Sequence, residues 1–245
     1  MVYLTKKTTR GQHYYYLVKS FKYDRRVEKV QLYLGSEEPN ESELEQLKLK
    51  HTVELELAAI ERMALMSSET YRTPYLKKDE ILGMERMRFL NRALHRIQDP
   101  HERAQEAALN SVQTISGNMA LSSNPLPAEN IEAIFEQDRA PPGVPLSKVL
   151  EALALRRLHG EISERVARLD KKNILKLHQD LFEGTGKGGV LREDSASLPG
   201  SAFMPPPAIL VEDELEGVLQ WWHDPSPLHP FERAVLFHHR FQQVR

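Results

Sequence analysis

The sequence predicts a mainly α-helical protein with a small antiparallel β-sheet at its N-terminal end. Two observations carry this. β-branched and aromatic residues are dense in the first 35 residues, in the runs VYLT, HYYYLVKSF and VEKVQLYLG. From about Asn40 onward, Leu44, Leu47, Val53, Leu57, Ile60 and Ala64 recur near a period of 3.6 among Glu and Lys.

Taken in order, the polar KYDRR between the second and third runs suits a hairpin turn. Gly35 with SEEPNES closes the sheet. Asn40 or Ser42 caps the first helix, and SSETYRTP ends it. Further helices are expected over Asp79–Gln98, His101–Val112, Ala128–Gln137, Ser147–Leu158, Ser163–Phe182, Glu212–His223 and Pro230–Arg245. Two breaks interrupt them. SGNMALSSNPLPAEN reads as a turn-rich link. EGTGKGGVLREDSASLPGSAFMPPP is too long and too rich in Gly and Pro for an ordinary connector, and such loops are often functional.

At 245 residues, 40% of them hydrophobic, the chain suffices for one substantial domain and a smaller appendage. The absence of cysteine excludes disulfides, iron–sulfur clusters, Cys-ligated zinc and thiol nucleophiles. No apolar run approaches the roughly 20 residues of a spanning helix, and MVYLTKKTTRGQ lacks a secretory apolar centre, so a cytoplasmic protein without a membrane partner is expected. Charge is unevenly spread. The first 35 residues carry eight Lys and Arg against Asp24 and Glu28, a net +6, which leaves −8 for the rest of a chain of formal charge −2.

Three motifs invite a function, each with a plainer reading. GTGKGG lacks the Ser or Thr that follows Lys in a Walker loop, because Lys187 precedes Gly188, and no strand leads into it; a loop tip is the expectation. The basic sheet offers phosphate contacts and base stacking on Tyr14, Tyr16 or Tyr33 to nucleic acid. Alternation favours the opposite arrangement, with the aromatics of one face forming a small core and Lys and Arg lining the solvated face. His229, His238 and His239 do not suit zinc: neighbouring helical side chains diverge, and no HExxH spacing occurs.

Read from its end, the sequence resembles the Fic (Fido) family of protein-modifying enzymes over roughly residues 79 to 245. LHQDLFEGTGKGGVLRED is similar to the family's LH…L…G…R segment through Leu177, His178, Leu181, Gly189 and Arg192. The following loop to Ile209, with Pro199 and Gly200, resembles the family's flap, an extended hairpin that pairs with a target peptide by strand addition. HPFERAVLFHHRFQQV resembles the approach to the catalytic loop through Ala234, His238 or His239, Phe241 and Val244.

The resemblance implies a Fic-type helical bundle with a β-hairpin flap, transferring AMP from ATP with Mg2+ to a hydroxyl of a target protein. In the family, HPFxDGNGR follows this approach: His is the base, the acidic residue holds magnesium, and the Gly-Asn-Gly backbone binds phosphate. His229-Pro230-Phe231 precedes its helix and continues as ERA, so it reads as a helix start with Pro230 in the first turn. Register places the base at Arg245, which stays protonated and cannot serve. These residues are therefore expected to lack the catalytic loop and to be inactive alone.

SVQTISGNMALS resembles the family's inhibitory-helix motif, Ser/Thr followed by Glu-Gly or Glu-Asn. Ile115, Gly117 and Asn118 fit, but Ser116 stands at the Glu position and Val112 at the Ser position, implying weak self-inhibition. The organisation read from all this is a basic sheet module over 1–37, a helical region over 38–100, and a Fic-type domain over 101–245, incomplete at its C-terminal end. Two alternatives stay open: an interaction protein that captures a peptide on the flap without catalysis, and a nucleic-acid-binding regulator built on the sheet.

Overall fold

The computed structural model describes residues 2–120, 126–137, 139–165, 169–183, 188–196 and 202–244. The expected mainly α-helical architecture with a small N-terminal antiparallel sheet is observed. Three strands, β1 (Val2–Thr9), β2 (Gln12–Tyr23) and β3 (Arg26–Gly35), form one antiparallel meander. Both hairpins close in two residues. Arg10 and Gly11, then Asp24 and Arg25, all have positive φ, which matches the twist of the flanking strands.

Among the described residues eight α-helices follow: α1 (Glu41–Ser68), α2 (Lys78–Ile97), α3 (Pro100–Ala120), α4 (Ala128–Glu136), α5 (Leu146–Arg165), α6 (Lys171–Leu181), α7 (Val211–His223) and α8 (Pro230–Val244). Asn40, rather than Ser42, caps α1. Its side chain accepts from Glu43 N at 3.0 Å while Glu43 returns to Asn40 N at 2.9 Å, a reciprocal box that satisfies two otherwise orphaned donors.

The chain divides into two compact units. The first comprises Met1–Ile97 with Pro227–Glu232, the second Gln98–Ser226 with Arg233–Arg245. In the first, one face of the sheet packs on α1: Leu17, Leu55 and Ala59 are fully buried, and Lys19 reaches Glu56 at 2.5 Å. α1 and α2 close on Ile60, Ala64 and Phe89, with Tyr23 packed against them. The second has a core of Ile115, Met119, Ile131, Ile134, Phe135, Val149 and Ala152 from α3, α4 and α5. A further cluster gathers Val211, Leu215, Val218, Leu219 and Val244.

Three expectations need correction. The sheet's solvated face is not lined by Lys and Arg alone: the register puts Tyr14, Tyr16 and Tyr33 on the face opposite the one that α1 covers, together with Lys7. SGN is not a turn, because α3 runs on to Ala120; burial of Ile115 and Met119 outweighs the roughly 1 kcal/mol that Gly117 costs a helix. The helix expected over Ser163–Phe182 is divided, since α5 extends to Arg165 and Asp170 starts α6 afresh by accepting from Asn173 N at 2.8 Å.

Candidate functional site

The cleft that carries the sequence motifs is built by four helices of the second unit and encloses about 370 Å³. α3 contributes Thr114, Ile115 and Asn118. α5 adds Leu155, Leu158 and His159, while α6 adds Ile174, Leu177, His178 and Leu181. Phe237 and Phe241 come from α8, their rings stacked at 5.9 Å.

His178 ties α6 to the loop that follows. Gly189 N–H donates to His178 Nδ1 at 3.2 Å, so in the neutral ring the proton sits on Nε2. Phe182 lies edge-on to the imidazole at 4.9 Å. The two glycines are required where they stand. A Cβ on Gly188 would lie 2.7 Å from the His178 carbonyl oxygen and 2.8 Å from Gln179 Cα, and Gly189 has φ +86°. This half of GTGKGG is packed onto a helix rather than being a loop tip; Lys187 lies outside the described residues.

Arg192 then clasps the loop. Its Nη1 donates to the Asp194 carbonyl at 3.0 Å and its Nη2 to that of Pro206, tying together residues that precede and follow the 197–201 stretch. The described residues of the expected flap carry no strand, and Pro199 and Gly200 lie outside the described residues. Further along, Met204 and Ile209 are 86% and 87% exposed.

α7 and α8 fix the remaining wall. Arg233 donates to the carbonyls of Trp221, Trp222 and Asp224, closing the C-terminal end of α7. Trp222 meets Phe237 edge to face at 5.0 Å. Lys171, at the start of α6, pairs with Glu212 and Glu216 of α7; the hydrogen bond that its ammonium donates to Glu212 holds the group's pKa above its ordinary value.

The sequence-selected residues thus fall into separate environments. Ile115 and Asn118 face the cleft, Val112 packs on the α3–α5 core, Ser116 is half-buried, and Gly117 is open. Phe241 and Val244 are structural, the latter buried beside α7. Ala234, His238 and His239 are exposed, with His239 against Gln243 at 3.2 Å, and Arg245 lies outside the described residues. His229 opens α8 from a buried position, where Pro230 is the first helical residue. Sequence reading missed Thr114 and His159. The first was legible from its i, i+4 spacing to Asn118, but nothing in the run around His159 gave a reason to single it out.

Among the described residues the cleft's lining is apolar apart from Thr114, Asn118, His159 and His178, with no carboxylate, Lys or Arg. Among the described residues no group of three His, Asp or Glu is placed to hold a metal ion. The residues present therefore do not fit a magnesium-bound triphosphate.

Residues 168–245 match the model of the Fic/DOC family. Among curated proteins the chain has no match. Among solved structures it is similar to Fic-1 (aa134–508) from C. elegans, at 17% identity and a TM-score of 0.49, over 84% of this chain and 60% of that one. The chain thus spans less than two thirds of that structure's length.

Proposed function

We propose that this chain supplies the target-docking loop and the helical walls of a Fic-type protein adenylyltransferase. Transfer of AMP to a protein hydroxyl then depends on catalytic-loop residues that these 245 do not include. The observation that supports this most is the family match over 168–245, which takes in α6, the glycine pair seated on it and the loop clasped by Arg192. The chain's own residues would hold the loop against α6 and exclude water from the apolar cleft between α3, α5, α6 and α8. A base, a metal ligand and an anion nest would come from elsewhere.

Incubating the purified chain with candidate acceptor proteins, labelled ATP and magnesium tests this. No label is expected on the acceptors, whereas labelled AMP on any of them would show that these residues catalyse transfer themselves. Calorimetric titration with extended peptides should detect binding that is insensitive to ATP and magnesium and is lost in Arg192→Ala. Unchanged peptide affinity in that variant would remove the docking role from this loop.

A second reading, a peptide-capturing protein with no transferase role, is favoured by the exposure of Met204 and Ile209. The two readings part when the chain is joined to a catalytic loop. Label appearing on the acceptor supports the first, and continued silence supports the second. In such an extended protein Ser116 should leave self-inhibition weak, and Ser116→Glu should lower the transfer rate; a faster Ser116→Glu enzyme would contradict this.

A further inference from the structure

The open face of the N-terminal sheet carries chemistry that the Fic-type reading leaves unused. In a small sheet that rests on one helix, the uncovered face is ordinarily polar, since exposed aromatics gain nothing from folding. Here the cross-strand register sets Thr5, Tyr16 and Tyr33 side by side, with Lys7 opposite Tyr14 one step along the same face. Tyr33 lies 5.3 Å from Tyr16 and 6.2 Å from Tyr14, and is 54% exposed. The three rings form one tyrosine cluster facing solvent.

Cations surround it. Lys7 Nζ stands 4.7 Å above the Tyr16 ring and donates to Gln31 Oε1 at 2.7 Å. Lys29 lies beside Tyr3, whose hydroxyl is held below its ordinary value by its hydrogen bond with Ser20 at 3.2 Å and then by Lys29. By register Lys22 belongs to this face also. Glu28, opposite Phe21, belongs to the other face, and no carboxylate of the three strands lies on the open one. Both hairpin tips add an arginine, Arg10 and Arg25, held at positive φ where Gly or Asn is the less strained choice.

We infer that this face binds single-stranded nucleic acid, with bases stacking on Tyr14, Tyr16 and Tyr33 and phosphates meeting Lys7, Lys22 and Lys29. Lone cationic patches attract any polyanion. The clustered rings select one whose π-faces are unpaired and reachable, which a duplex does not offer. Sequence preference should be slight, because stacking needs no particular base edge. This assignment rests on the first unit alone and is independent of the Fic/DOC match.

The test is fluorescence anisotropy of the full chain with labelled 15-nucleotide oligothymidylate, oligouridylate and a 15-base-pair duplex. Three phosphate contacts give a log–log salt slope of about −2, so affinity for either single strand should fall about 20-fold between 50 and 200 mM salt. Lys7→Gln should reduce that slope by about 0.7. Tyr33→Ala should weaken binding between about 5- and 150-fold, and Tyr33→Phe should leave it unchanged. Both replacements are at an exposed site, and Lys7→Gln reports independently if Tyr33→Ala shifts the melting curve. A preference for uridylate or thymidylate identifies RNA or DNA as the source of the strand. Absent binding at 50 mM salt, equal affinity for the duplex, or full affinity in Tyr33→Ala would overturn the assignment, as would binding to anionic phosphatidylserine vesicles with none to the oligonucleotides.

Discussion

At the scale of single residues, backbone geometry decides more than side-chain chemistry. Gly188 admits no Cβ, because the atoms it would meet at 2.7 and 2.8 Å belong to the α6 backbone and cannot yield cheaply. Gly188→Ala should therefore cost about 1–3 kcal/mol, read from urea denaturation, and should weaken peptide docking by displacing the loop. Arg25, at φ +67°, predicts the reverse: Arg25→Gly should stabilise by about 1 kcal/mol in the same measurement. Glu61 supplies a pH dependence. Two hydrogen bonds of 2.6 Å from Arg86 hold its carboxyl below the ordinary 4.5. Stability from a lowered carboxyl is present above that ordinary value and lost as pH falls through the folded one. Both side chains are about half exposed, so solvent screening keeps the effect small. Glu61→Gln should lower Tm slightly at pH 7, with the gap to the parent closing below about pH 4. None of these three was legible beforehand, since close approach, φ and pairing across 25 residues depend on where the chain goes.

At the scale of elements, periodicity read the helices well wherever one face is buried and a cap is nearby. α1 shows both, with Asn40 and Glu43 reciprocating at its start and Leu55, Ala59, Ile60 and Ala64 buried along it. The helix misread at SGN has one cause. Ser116-Gly117-Asn118 is locally ambiguous, and tertiary burial settles it as helix. The α3 extension is held by Ile115 and Met119, which sit among Ile131, Ile134, Phe135 and Val149. Ile115→Ala should cost 2–5 kcal/mol and lose helical ellipticity in the last turns of α3, whereas Gln113→Ala, on the exposed side, should change neither. The sheet failed differently. Alternation was right that the aromatics of one face join the core, but it expected Lys and Arg on the other face and did not foresee that Tyr14, Tyr16 and Tyr33 would share it.

At the scale of the whole chain, the first unit is completed by six residues that arrive 130 positions after its helices end. Pro227–Glu232 returns to it, and the Pro227 carbonyl accepts from Arg72 N at 2.8 Å. His229, 5% exposed, meets Tyr71 edge to face at 4.8 Å. Phe231 N–H donates to His229 Nδ1 at 3.2 Å, which leaves the proton on Nε2 to be given to Glu85 Oε1, also at 3.2 Å. Glu85 is fully buried and takes its second partner from Arg88, which is also bound to Ser67 at 3.0 Å. The histidine that imitates a catalytic signature in the sequence is thus a structural donor to a buried carboxylate, and only the fold shows what it serves. His229→Ala should leave one oxygen of the buried Glu85 without its protein donor. A loss of about 1–3 kcal/mol is expected by denaturation. His229→Ala combined with Glu85→Gln should recover part of it, since a neutral amide is cheaper to bury than an underpaired charge. If the double variant is no more stable than His229→Ala alone, the histidine contributes by filling space rather than by its hydrogen bond.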